Sequence, residues 1–213
     1  MYIVIMEKIL VAGAHGTTGK KIISILKESN TYKPVAMVRK EEQISHFQNN
    51  GVETILADLE KDVSETTNGI DRVIFAAGSG GKKVKEVDQE GAKKLMDAAK
   101  NKGVKKFVML SSMGADKPEE ADEIQEYLRA KHNADEYLKQ SGVQYTIVRP
   151  GALTNNDGKG KIKLENKLNQ RGEISRRDVA ETLVGALDSS IAKNKTFEIL
   201  EGDTYIKAAL EKA

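Results

Sequence analysis

The chain contains no cysteine, which excludes disulfides and thiolate zinc sites. Its three histidines, His15, His46 and His132, are scattered without metal-ligand spacing, so a metal centre is not expected. Charge of one sign is also lacking: 34 basic residues face 32 acidic ones, the net charge is +2, and the lysines are interspersed with glutamates and aspartates. That balance argues against a nucleic-acid partner. Two local basic clusters, Lys82, Lys83 and Lys85, and Lys100, Lys102, Lys105 and Lys106, read as solvated loops or helix ends. Long apolar runs are absent as well. The opening Met1-Tyr2-Ile3-Val4-Ile5-Met6 is too short to span a bilayer and lacks the basic flank and small-residue cleavage site of a signal peptide. No membrane partner is therefore expected, and the location expected is cytoplasmic. These residues either lengthen the first strand or precede an alternative start at Met6.

With only three prolines and no low-complexity tract, the 213 residues suit one well-cored domain, residues 1–213. Apolar runs at Lys8 to Ala12, Tyr32 to Val38, Glu53 to Leu56, Arg72 to Ala76, Lys106 to Leu110, Tyr145 to Val148 and Thr196 to Leu200 alternate with helical patterns. The expected fold is α/β, a doubly wound Rossmann-type parallel sheet of about seven strands with helices on both faces. The one irregular stretch, Gly151 to about Arg171, reads as a loop with one short strand, Lys161 to Leu164. Ligands of open α/β sheets lie at the carboxyl ends of the strands, so this segment is placed to cap a substrate.

The most informative stretch is Gly13-Ala14-His15-Gly16-Thr17-Thr18-Gly19, between the first apolar run and an apolar-periodic helix. In such a turn the first glycine permits the bend, the second lets backbone approach a pyrophosphate, and the third lets helix pack on strand. Phosphate then meets the unpaired N–H groups of the helix N-terminus. At the end of the second strand, where an NAD site would carry an acidic residue for the ribose 2′-OH, stand Arg39 and Lys40. A guanidinium pairs with a 2′-phosphate, so NADP(H) is the expected cofactor and NAD(H) the less favoured one.

The chain resembles the short-chain dehydrogenase/reductase superfamily, and within it the atypical, NAD(P)H-binding NmrA-like branch often labelled epimerase/dehydratase. The resemblance runs from residue 8 to about 200 and rests on the glycine motif, Ala57-Asp58-Leu59, Ala76-Ala77-Gly78, Ser111-Ser112, Tyr127 with Lys131, and Tyr145-Thr146-Ile147-Val148-Arg149-Pro150-Gly151. It implies that Asp58 touches adenine, that the Ala77-Gly78 turn lies along the ribose and that the segment after Pro150 approaches the nicotinamide, with Leu59, Ala76, Ser111, Pro150 and Gly151 also among the cofactor-binding residues. Tyr-x-x-x-Lys alone is uninformative in a lysine-rich chain; its position after Ser111-Ser112 is what carries weight. Four residues apart on a helix, Tyr127 and Lys131 share a face, and an ammonium there lowers a phenol from about 10 toward working pH.

The resemblance implies Tyr127 as general acid/base, Lys131 as its tuner and ribose ligand, and Ser112, or less favourably Ser111, on the substrate oxygen. Asp88 stands where many relatives carry Asn, suited to relaying protons or fixing backbone. The expected partner is a small-molecule substrate, a carbonyl, quinone-like or flavin-like compound, bound by a monomer or homodimer. A non-catalytic NADP(H) sensor of NmrA type and a flavin reductase of the biliverdin-IXβ type remain open. Epimerisation of a sugar nucleotide is disfavoured, because only about 20 irregular residues follow Gly151 where extended epimerases carry a substrate domain.

Overall fold

The computed structural model describes residues 6–213, and the apolar opening at residues 1–5 lies outside them. The chain enters as β1 (Glu7–Ala12), α1 (Thr17–Lys27), β2 (Tyr32–Val38), α2 (Ile44–Gln48), β3 (Glu53–Leu56) and β4 (Arg72–Phe75). It continues through a π-helical turn (Val84–Gly91) into α3 (Ala92–Asn101), then β5 (Lys106–Leu110), α4 (Gln125–Gln140) and β6 (Tyr145–Pro150). β7 (Ala152–Thr154), β8 (Lys161–Glu165), β9 (Glu173–Ser175), α5 (Arg176–Gly185), β10 (Lys195–Glu201), β11 (Thr204–Tyr205) and α6 (Ile206–Leu210) complete it. Among the described residues no helix is long and apolar enough to cross a membrane.

Nine strands form one sheet in the order β11-β8-β10-β6-β5-β4-β1-β2-β3, and seven of them, β3 through β10 in that order, run parallel. Consecutive residues of β1 alternate between faces as a strand's period of two requires. Ile9 and Val11 pack with α1, α5 and α6 on one side, while Leu10 and Ala12 pack with α3 and α4 on the other. The order in which successive strands are added reverses after β3, the chain crossing back to place β4 on the other side of β1, so a crevice opens between the loops that leave the carboxyl ends of β1 and β4.

Two expectations need correction. The sheet has nine strands rather than about seven, and β8 and β11 are the additions. β8 is the short strand expected at Lys161 to Leu164, and it joins the main sheet by pairing antiparallel with β10, burying Ile162 completely. Its Lys-Ile-Lys-Leu-Glu alternation is a half-buried strand pattern. The stretch is held further by Asp178, whose carboxylate accepts the N–H groups of Lys159 and Gly160 at 3.1 and 2.8 Å.

Lys106, grouped by sequence with solvated lysines, is fully buried. Its ammonium sits beyond the end of α5 and donates to the carbonyl oxygens of Asp188 and Ile191 at 2.7 and 2.6 Å. Arg72 beside it donates to Leu187 O at 2.6 Å, so two cations gather at the negative end of that helix. Burial, and then the Arg72 charge, push Lys106 down from 10.5 to about 8. The folded chain thus releases this proton near pH 8, while the unfolded chain holds it to about 10.5. Unfolding takes up a proton in that window, so stability measured against Lys106→Met should rise with pH between the two values. Paired denaturant titrations at pH 7 and pH 10 check this, and a pH-independent difference would refute it.

Candidate cofactor cleft and active site

The crevice between β1 and β4 is a cleft of about 300 Å³ whose floor is backbone. Gly13 has φ +83°, and a Cβ there would stand 2.6 Å from the Ala77 nitrogen and Cα. No other residue type fits between the two chain segments. A Cβ on Gly19 would lie 2.1 Å from Gly13 O and 2.8 Å from Ala14 Cα, so this glycine lets the first turn of α1 lie on the strand exit. Gly16 differs: an added Cβ would meet only Gly13 O, at 3.2 Å. Its missing side chain leaves room in the cleft rather than room for the fold. Gly16 is the N-cap of α1, no side chain caps that helix, and its first turn holds no carboxylate to compete with a bound anion.

Of the residues expected at the cofactor, Gly13, His15, Gly16, Arg39, Asp58, Leu59, Ala76, Ala77 and Gly78 line this cleft. Thr17 and Thr18 form the first turn of α1 beside it, Thr18 and Gly19 being buried. Among the described residues Arg39 has no ion pair, whereas Lys40 turns away to Glu42 at 3.4 Å. The Gln43 carboxamide oxygen accepts the N–H groups of Arg39 and Lys40 at 3.2 and 3.3 Å, which fixes the path of the chain there. Gln43, Met37, Val87 and Ser79 also line the cleft and were missed. Met37 and Val87 read as ordinary core positions, and nothing local distinguishes them.

Of the residues expected to carry chemistry, Tyr127 and Lys131 lie on α4, Asp88 on the π-helical turn and Ser112 just after β5. Lys131 is 3 % exposed, and its Nζ lies 3.5 Å from Asp88 Oδ1, 3.4 Å from Leu110 O and 5.6 Å from the centroid of the Tyr127 ring. Asp88 accepts the Ser79 N–H through its other oxygen at 3.0 Å, so it holds the backbone after β4 and the lysine together. Tyr127 is half-buried, and among the described residues its hydroxyl has no hydrogen-bond partner. Ser112 donates only to the neighbouring Met113 O at 3.2 Å, which leaves it the freer of the two serines.

The Ser111 hydroxyl is engaged within the protein. The residue is 3 % exposed and its hydroxyl donates to Asp135 Oδ2 at 2.8 Å. The same oxygen accepts from Nε and Nη2 of Arg149 at 3.0 Å each. Burial pushes the Asp135 carboxyl up, opposed by Arg149, Ser111 and Lys131. A buried guanidinium needs this counter-ion, and Ser111 is drawn into the pair. Asp135 was not foreseen, although it follows Lys131 by one helical turn. Pro150 and Gly151 are also held by the fold: Pro150 O accepts the Met113 N–H at 3.0 Å, and a Cβ on Gly151 would fall 2.4 Å from Gly172 O.

Fold and cleft together define a Rossmann-type dinucleotide-binding protein. Residues 13–190 match a family described as NAD(P)H-binding, and the chain belongs to it. It is 40 % identical over 213 residues to the uncharacterized sugar epimerase YhfK of Bacillus subtilis (strain 168), covering 96 % of this chain and 99 % of that one. It is 30 % identical over 240 residues to sanguinarine reductase of Eschscholzia californica, covering 90 % and 88 %. A solved structure from Bacillus halodurans, named for the NAD-dependent epimerase/dehydratases, superposes with TM-score 0.93 at 38 % identity, covering 97 % and 100 %.

Gly16 and Gly19 should separate on substitution. Gly16→Val should keep the fold and lose the cofactor. In thermal melts the parent should gain about 2.7 kcal/mol from NAD(P)H at a hundred times Kd, and the variant almost nothing. Gly19→Ala should instead cost about 1–3 kcal/mol without any ligand, from overpacking. Equal ligand stabilisation of Gly16→Val and parent would remove the pyrophosphate from this turn.

Proposed function

We propose that the protein is an NADP(H)-dependent oxidoreductase acting on a small carbonyl, quinone-like or flavin-like compound. The observation that carries the cofactor choice is Arg39, a guanidinium without an ion pair among the described residues, on the rim of the glycine-floored cleft. A bound NADPH supplies hydride. The chain supplies the rest. Gly13 and Gly16 admit the pyrophosphate, Arg39 holds the 2′-phosphate, and Lys131, oriented by Asp88, faces the ribose. Tyr127 delivers or takes the proton at the substrate oxygen, and Ser112 orients that oxygen. The segment 151–171 borders the substrate end as its cap. A small-molecule substrate, a monomer or homodimer and a cytoplasmic setting complete the reading.

The name of the reductase relative supports reduction, and epimerisation of a sugar nucleotide is the alternative. Because the ammonium of Lys131 is shared with Asp88 and Leu110 O, an acceptor that needs no proton from the protein, such as a flavin, is a second reading with an observation behind it.

Calorimetric titration should show NADP(H) preferred over NAD(H) by about tenfold to a hundredfold, the worth of one charge-assisted contact, and Arg39→Asp should reverse the order. Equal affinities in the parent would refute the assignment. Tyr127→Phe should lower carbonyl turnover by about 10²–10⁴-fold with NADPH affinity nearly unchanged, and Lys131→Ala should damage both. Flavin or quinone reduction that survives Tyr127→Phe would select the second reading, and NADPH binding with no turnover of any acceptor would mark a sensor.

A further inference from the structure

His15 belongs to the glycine-rich turn, yet its ring is directed away from that turn. It stands edge-on to His46 with centroids 5.9 Å apart, and to Phe47 at 6.4 Å, both on α2. That helix begins shortly after Arg39, so the imidazole is turned toward the β2–α2 junction. There it lines the same cleft as Arg39 and Gln43.

Basic side chains border the ring. Lys20 approaches from α1, and Arg39 lines the same cleft after β2. The carboxylates here are Glu42, paired with Lys40 at 3.4 Å, and Asp58, which lines the cleft after β3 and accepts the Glu60 N–H at 3.0 Å. In this setting partial burial, then Lys20, then His46 hold the His15 imidazole below its ordinary 6.5. A dianion placed between the ring and Arg39 would reverse that balance.

We propose that His15 is a specificity-determining, proton-linked ligand of the 2′-phosphate of NADP(H), neutral without a phosphate ester at this rim and taking a proton from solvent when one occupies it. The proposal rests on the NADP(H) reading above. It assigns His15 to the phosphate that distinguishes the two dinucleotides rather than to the pyrophosphate they share. The charged ring offsets the affinity otherwise lost as the 2′-phosphate itself takes up a proton near pH 6.

The imidazole Cε1–H resonance of His15, assigned by comparison with His15→Gln, can be followed against pH by nuclear magnetic resonance in the protein alone and with saturating NADP⁺ or NAD⁺. The midpoint should move up by about one unit or more with NADP⁺ and only slightly with NAD⁺. In calorimetry, His15→Gln should lower the ratio of NADP⁺ to NAD⁺ affinity about fivefold at pH 6 and little at pH 8, as a one-unit shift in linked protonation requires. A midpoint unmoved by bound NADP⁺, or moved equally by both dinucleotides, overturns the proposal while leaving the cofactor reading intact. Failure of either dinucleotide to bind overturns the cofactor reading itself, and this proposal with it.

Discussion

The contact on which the structure depends is between two stretches of backbone. Gly13 and Ala77 leave β1 and β4 so close together that a single Cβ on the glycine would sit 2.6 Å from the Ala77 nitrogen. With that approach in place, α1 starts directly over the crevice, and its uncapped N-terminus faces the cleft. Gly19 serves the same arrangement from the helix side. Without these two glycines α1 would stand off the sheet, and the partial positive charge of its first turn would lie too far from the crevice to hold an anion there.

The other half of the site is assembled by charge. Asp135, buried on α4, binds Arg149 on β6 and the Ser111 hydroxyl at the exit of β5, while Lys131 one turn earlier binds Asp88. Removing one partner of such a pair costs more than the pair contributes, because the remaining charge is stranded. These contacts therefore act chiefly as geometric constraints. They fix the face of α4 that carries Tyr127 and Lys131 against the ends of β5 and β6.

This difference explains what could be read in advance. The glycine turn, the strand alternation and the arginine after β2 are local signals, each written within a few adjacent residues, and the sheet and cofactor cleft follow from them. The charged half joins residues distant in the chain: Arg149 meets an aspartate 14 positions earlier, and Lys106 finds its carbonyls 82 and 85 positions later. Hydropathy assigns such residues to the surface, since it registers the cost of burying a charge and not the partner that offsets it. Asp135 was not foreseen for that reason. His15 was legible as a turn residue, but its contact with His46 depends on how α2 folds back.

The two halves meet at one carboxylate. Asp88 accepts the Ser79 N–H in the segment that borders the cleft after β4, and its second oxygen faces Lys131, itself against the Tyr127 ring. A Cβ on Gly78 would already stand 3.3 Å from that second oxygen, so the carboxylate fills the space between the turn and the lysine. Any ligand that displaces the Gly78–Ser79 backbone must therefore either drag the carboxylate or break its hydrogen bond. In the first case the ammonium loses or gains its closest anion; in the second a buried oxygen is left unpaired, at about 1–3 kcal/mol. An asparagine in this place would transmit the displacement without the charge. With an aspartate, a displacement of that backbone would also change the electrostatic environment of Lys131, through a single side chain that reaches both.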